Sequence, residues 1–327
     1  MLKYIFQRLG LMLITFVVIT VITYFLIALV PFDPSERYRD PITGILPPHI
    51  EDMIREEGWG EPVPVRFAMW IRNIFGDRPF GRTTSQPMAS AWAVLQFRIP
   101  QTVRLNVIPF FISIPLAVTL GTLAAIKKNK WQDHAISTFV VLFVSLPTFV
   151  VAVLLQLILV FRLGWIESPF VLPPSLAQGD FWGNIQSRIM PTIVLSLGTI
   201  AGLTRTLRAE LTEVITSDFM LLARAKGLST RQATFRHALR NGFVPFAPIL
   251  VVGFVGLLGG SMVIEQIFGV PGVGPVFITA FASMDMNVLM LVSVFFTFIG
   301  LLAGIAGDLS YGFIDPRIKM GRGKTNA

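Results

Sequence analysis

The 327-residue chain has no cysteine, which excludes disulfides, thiolate metal sites and cysteine nucleophiles. Histidine is almost as scarce, and His49, His134 and His237 leave little material for a metal cluster. Charged residues make up 14% of the chain against 53% hydrophobic ones, with a mean hydropathy of +0.68. An ordinary soluble domain carries roughly a quarter of its residues as charges, so this composition belongs in lipid. A net charge of +8 fits either a nucleic-acid binder or the cytoplasmic loops of a membrane protein. In a chain this apolar the second reading holds, and no nucleic-acid partner is expected.

What the sequence has instead is long hydrophobic runs. A transmembrane helix needs about 20 mostly apolar residues, because a bilayer core of about 30 Å is crossed at about 1.5 Å per residue. Leu9 to Val30, Leu105 to Ile126, Ala135 to Phe161, Val244 to Ile264 and Val288 to Gly307 run 20 to 27 residues without an Asp, Glu, Lys or Arg. Ile189 to Thr204 has 16 and is read as a sixth span, extended by tilt or by Arg188 and Arg205 snorkelling at its ends. The first run follows Lys3 and Arg8 like a signal peptide, but it is long and lacks a small-residue cleavage site, so a retained helix is expected. With the N-terminus inside, 16 of the 27 basic residues, including all seven Lys, fall in cytoplasmic pieces. Dropping the weak span would put the basic loop after it outside.

The expected fold is therefore all-α: a polytopic membrane protein of six transmembrane helices, with both termini cytoplasmic and a large extracytoplasmic loop between helices 1 and 2. Its parts are an N-terminal helix (1–30), an outer loop with short helices (31–104), a five-helix core (105–313) containing a cytoplasmic loop (205–243), and a cytoplasmic tail (314–327). Residues Pro31 to Pro100 hold ten of the 22 Pro, eight Arg, nine acidic residues and no Lys. They read as a solvated cap or as a docking surface for an external partner.

The segment 217–237, SDFMLLARAKGLSTRQATFRH, is basic and helical between two apolar stretches. Leu207, Leu211, Val214 and Ile215 extend the fourth span on one apolar stripe. Asp218 then offers an N-cap, Gly227 a left-handed C-terminal cap, and Ser229 with Gln232 a capping box. A second helix is predicted to run to about Arg240, before Pro245 opens the next span. The short helix has small residues at Ala223 and Ala225, an anchor at Phe219, and cations at Arg224 and Lys226 where the helix dipole favours them. Such a helix suits a lever that plugs into a partner's groove, and equally one lying on anionic lipid.

The stretch ARAKGLSTRQATFRHALRNGFVP resembles the cytoplasmic coupling loop of ATP-binding cassette importer permeases. With MLKYIFQRLGLMLITFVV, FRIPQTVRLNV, Leu163 to Trp165, SMVIEQIFGVPGVG and DLSYGFIDPRI, the chain is similar, over most of its length, to the first permease of oligopeptide, dipeptide and nickel importers. The glutamate that the wider superfamily often carries six residues before the loop glycine is Leu221 here, as is common in the peptide subgroup. The resemblance implies that Phe219, Ala223, Arg224, Ala225, Lys226 and Gly227 dock on an ATP-hydrolysing subunit, with Asp218, Ser229 and His237 supporting the loop. It implies as partners a second permease, two ATP-binding subunits and an extracytoplasmic solute-binding protein, in the cell (inner) membrane. It implies no catalytic residue, metal or cofactor in this chain, with ATP and Mg bound by the ATPase subunits.

The rest of the sequence is consistent with that reading. The tail GRGKTNA has Ile318 where a phosphate-binding loop needs its first glycine. Gly259-Gly260-Ser261-Met262 offers a serine for intramembrane proteolysis, yet all three His fall in predicted loops. Gly253, Gly256, Gly259 and Gly260 are expected to form a close-packing face. Neutral span centres speak against an ion-coupled carrier, the alternative from another class, while Glu265 and Asp308 sit at span ends. GVPGVGP at 269–275 reads as tight turns, with Pro271-Gly272 suited to type II. Nickel or another small solute stays open beside peptides.

Overall fold

The computed structural model describes residues 2–30, 39–40, 42–77, 79–84, 89–173 and 179–314. From residue 315 the expected tail lies outside them. All regular structure among the described residues is helical apart from one isolated bridge between Arg82 and Ser90. The helices are α1 (Leu2–Ala28), α2 (Pro48–Glu56), α3 (Val63–Ile74), α4 (Ala91–Gln96), α5 (Ile99–Ile126), α6 (Trp131–Ser145) and α7 (Thr148–Gln156). There follow α8 (Phe181–Ile215), α9 (Asp218–Ala225), α10 (Thr230–Ala233), α11 (Leu239–Gly256), α12 (Met262–Ile267), α13 (Val273–Ala282) and α14 (Met286–Ile314).

Five stretches among the described residues are long and apolar enough to cross a membrane: Lys3–Ala28, Ala91–Ile126, Phe181–Ile215, Arg231–Gly256 and Met286–Ile314. A sixth arises if α6 and α7, with its continuation to Arg162, count as one span bent by 95°. The break falls inside what reads in sequence as one uninterrupted run. Pro147 has no N–H to continue the ladder and pushes Leu146 into an extended conformation (φ −76°, ψ 127°). The weak fourth run, by contrast, belongs to a 35-residue helix. Asp180 caps its start by accepting from Gly183 N–H at 2.8 Å, and buried Leu207 and Leu211 hold its far end. At about 1.5 Å per residue α8 is about 52 Å long, well beyond a bilayer core.

α8 packs most extensively on α5. The close approach rests on small residues: a Cβ on Gly121 would stand 3.2 Å from Leu207 Cβ and from the Thr204 carbonyl, and Ala117 is wholly buried. α11 lies against α14, with Gly307 facing Val252, and α14 against α1. Of the four glycines expected to form a packing face, Gly253 meets Phe110 of α5, whereas Gly256 and Gly259 meet no neighbouring helix and Gly260 turns the chain at φ +66°.

The contacts sort the molecule into two ends. One is basic and gathers Arg8, the turn 127–130, the C-terminal half of α8 and Asp308, joined by Arg8–Asp308 at 2.9 Å and Arg208–Asp133 at 2.6 Å. The other, here termed the cap end, gathers α2 to α4, the segment 163–173, α12 and α13. Exposed tryptophans lie toward both ends, Trp131 at the basic end and Trp165 and Trp182 at the other.

Candidate functional site

At the basic end α8 stops at Thr216, and α9 folds back on it. Asp218 is the first residue of α9 rather than its cap; Ser217 occupies the cap position in an extended conformation, without a side-chain cap bond. Asp218 still adds a negative charge to the first turn, where the helix dipole favours it. Met220 is fully buried among Leu211, Ala233, Ala238 and Phe246, with Ala223 and Leu228 partly buried around it. Arg224 donates to the Ile215 carbonyl at 3.3 Å, tying α9 to the last turn of α8.

With Met220 turned inward, the opposite face of α9 is open. Phe219 is 43% exposed and Leu222 is 59% exposed, flanked by exposed Leu221, Ala225 and Lys226. Of the six docking residues read from sequence, Phe219, Ala225, Lys226 and Gly227 are thus exposed, Ala223 leans into the core, and Arg224 serves partly as an internal tie. Leu222, missed in sequence, lies three residues from Phe219 on the same helix, a spacing that was available to find it.

Gly227 ends the helix with φ +90°, a left-handed conformation that costs an L-residue roughly 1–2 kcal/mol. The next helix opens on the expected capping box: Gln232 N–H donates to Ser229 Oγ at 3.2 Å and Ser229 N–H to Gln232 Oε1 at 3.1 Å. It does not stop near Arg240. A π-helical turn, Thr234–Ala238, joins α10 to α11, and Pro245 and Pro248 lie inside the continuing helix. His237 is exposed on that turn, and its carbonyl accepts from Asn241 Nδ2 at 2.9 Å. Arg231, Arg236 and Arg240 are exposed along the same helix.

The cap end has a different chemistry. Glu265, between spans on α12, is wholly buried, and Oε2 accepts from Gly274 N–H at 2.8 Å. Thr102 Oγ1, alongside, accepts from Val273 N–H at 2.8 Å. Gly272 and Gly274 are required by this packing, since a Cβ on Gly272 would collide with the Glu265 carboxylate and Thr102 Oγ1, and one on Gly274 with Met262 Cα. Gly272 has φ −96°, so Pro271-Gly272 forms no type II turn; Gly272 precedes α13 and the positive φ is at Gly269. Nearby, Glu57 accepts from Arg82 N–H at 2.9 Å and from Asn287 Nδ2 at 2.7 Å, and Asp285 accepts from the Thr83 hydroxyl and Thr84 N–H. Burial pushes the carboxyls of Glu57 and Glu265 above the usual range, against the opposing pull of these hydrogen bonds.

At the basic end a long helix thus ends in a short one with an uncovered face. Residues 117–320 match the family described as binding-protein-dependent transport system inner membrane component, and residues 1–106 match the N-terminal family of such membrane components. The chain belongs to this family of transport-system membrane proteins. Within it, the chain is 31% identical over 323 residues to the dipeptide transport system permease protein DppB of Lactococcus lactis, covering 98% of this chain and all of the relative. It is 32% identical to the oligopeptide transport system permease protein OppB of Haemophilus influenzae, covering 98% and all of the two chains. DppB of Bacillus subtilis is 29% identical, covering 98% and 99%. Among solved structures, an inward-facing conformation of the MetNI methionine ABC transporter shares the fold at a TM-score of 0.54 and 16% identity, over 68% of this chain and 97% of that one.

Proposed function

We propose that this chain is the pathway-forming permease subunit of an ATP-driven importer of dipeptides or oligopeptides. It crosses the inner membrane six times, α6 and α7 forming one broken span, with the basic end cytoplasmic and the cap end outside. The distribution of charge supports this orientation: the described lysines Lys3, Lys127, Lys128, Lys130 and Lys226 all lie at the basic end. The relatives named as dipeptide and oligopeptide permeases support the solute class.

The observation that carries the mechanism is the two-sided character of α9. Met220 fixes one side in the core while Phe219 and Leu222 stand uncovered on the other, beside exposed Lys226. An aromatic anchor and a leucine on a rigid, capped helix suit a groove on an ATP-binding subunit. Closure of two such subunits on ATP then moves α9, and with it α8, switching access between the two sides of the membrane. A second permease completes the pathway, and an extracytoplasmic solute-binding protein delivers the peptide at the cap end.

Reconstitution tests the proposal. In vesicles holding both permeases and the ATP-binding subunits, peptide uptake is expected to require ATP and the loaded binding protein. Peptide uptake by this chain alone under an ion gradient would contradict the proposal, as would a complex that imports nickel and leaves peptides outside.

A further inference from the structure

Asp133 and Arg208 are 75 positions apart in the chain and meet at the basic end through two parallel hydrogen bonds. Arg208 Nε donates to Oδ1 at 2.6 Å and an Arg208 terminal nitrogen to Oδ2 at 2.8 Å. The Asp133 side chain is 2% exposed. Its remaining capacity is taken up by Asn129 N–H at 2.9 Å, from a turn held at φ +63°, and by the Ser137 hydroxyl. A planar fork on a carboxylate with its other lone pairs filled fixes orientation as well as distance. Asp133 is in the first turn of α6, and Arg208 is two turns before the end of α8, the end that carries α9.

Past this bridge α6 keeps one face on α5 and leaves the other open. Ile136 and Val140 lie on Ala124 of α5, after which Val141, Leu142 and Val144 are exposed up to the 95° break at Leu146-Pro147. Beyond the break, α7 is held at the cap end: Ala152 is buried with Met190, Val194 and Phe268, and Gln156 Nε2 donates to the Pro169 and Ile267 carbonyls at 2.9 and 3.3 Å. One limb of the broken span is thus bridged to the C-terminal half of α8, and the other packs on the N-terminal half of α8 and on the cap-end residues beside it.

We infer that Asp133 and Arg208 are the positioning pair that passes displacement of α8 to α6, so that the first limb of the broken span moves with the half of α8 that carries α9. The inference rests on the importer reading above. A salt bridge of this kind adds little net stability, because desolvation offsets its attraction. Its geometric specificity is what a force-transmitting joint requires. Broken, it leaves α8 free to move without α6, and ATP is hydrolysed without transport.

The test uses the complete complex in vesicles, with ATP hydrolysis and peptide uptake measured together. Asp133→Asn and Arg208→Lys are each expected to lower uptake per ATP about tenfold, within the usual range of coupling between linked sites. Hydrolysis should persist, and exchanging the two residues (Asp133→Arg with Arg208→Asp) should recover coupling. Because the chain has no cysteine, spin labels at exposed Lys130→Cys and Glu213→Cys read the joint directly. Their separation is expected to stay constant with and without ATP in the otherwise native chain, and to change with ATP once Asp133→Asn is added. An unchanged uptake-to-hydrolysis ratio in the single variants, or label separations that vary with ATP in the native background, would overturn the inference. If uptake and hydrolysis fall in proportion with thermal stability, the pair is structural only. A wild-type complex without ATP-driven uptake overturns the importer reading and this inference with it.

Discussion

At the cap end, Glu265, Glu57 and Asp285 are drawn inside the protein and held by backbone N–H groups, hydroxyls and an amide, with glycines making room for them. At the basic end, Arg231, Arg236, Arg240 and Lys226 stand outside, beside an uncovered Phe219 and Leu222. The difference separates two kinds of construction. The cap end holds its carboxylates with donors from the same chain, while Glu265 Oε1 and Thr84 Oγ1 there are buried without a hydrogen-bond partner. The basic end leaves apolar surface open on a helix whose other side is anchored, and the proposed docking rests on that two-sided build.

The comparison breaks most severely at the cap-end glycines. Gly274→Val puts a side chain into Met262 and Glu265, and overpacking of this kind costs about 3 kcal/mol or more. The melting temperature of the purified chain in detergent is expected to drop clearly, and an unchanged value would mean that the cap end gives way easily. The basic end should respond in the opposite manner. Phe219→Ala and Leu222→Ala remove exposed groups, so melting should be unaffected while affinity for the ATP-binding subunits falls by roughly 2 kcal/mol for the stronger anchor, or about thirtyfold. Binding measured by titration with those subunits checks this, and loss of stability in place of affinity would erase the contrast between the ends.

The smallest expected effect is on pH dependence. The raised carboxyl of Glu265 means that the folded chain holds this proton more tightly than the unfolded chain. Its contribution to stability is complete below the ordinary glutamate value of about 4.3 and is lost as pH rises through the raised one. Melting temperature should therefore decline over that window. Glu265→Gln, which keeps an acceptor for Gly274 N–H, should flatten the decline and gain relative to wild type at its upper end. Parallel slopes for the two proteins would place the pH sensitivity elsewhere.

Much of the basic end was legible because its signals are local. Gly227 as a left-handed cap and Ser229 with Gln232 as a capping box each need only a few neighbouring residues, and both form. The cap residue was misplaced by one position because Ser217 and Asp218 are both good candidates, and the backbone rather than the residue type decides. Pro245 was read as a boundary, but a proline within a membrane helix is tolerated where neighbours compensate. Pro147 looks no different in sequence and does break its helix. The cap-end chemistry could not be read at all: the hydrogen bond to Thr102 comes from Val273, 171 residues on, and Glu265 looked like an ordinary charge at a span end. Asp133 and Arg208 likewise gain meaning only when α6 and α8 are brought together.

The tryptophans give the surrounding lipid a part of its own. Exposed Trp131 toward one end of the molecule, with exposed Trp165 and Trp182 toward the other, are side chains that favour the headgroup level, so their spacing suits a bilayer of a certain thickness. A thicker or thinner bilayer must be met by tilting or by local deformation, at fractions of a kcal/mol per Å. For a permease whose 35-residue α8 is longer than a bilayer core is thick, acyl-chain length becomes a variable of transport in its own right, as adjustable in the vesicle as the solute or the nucleotide.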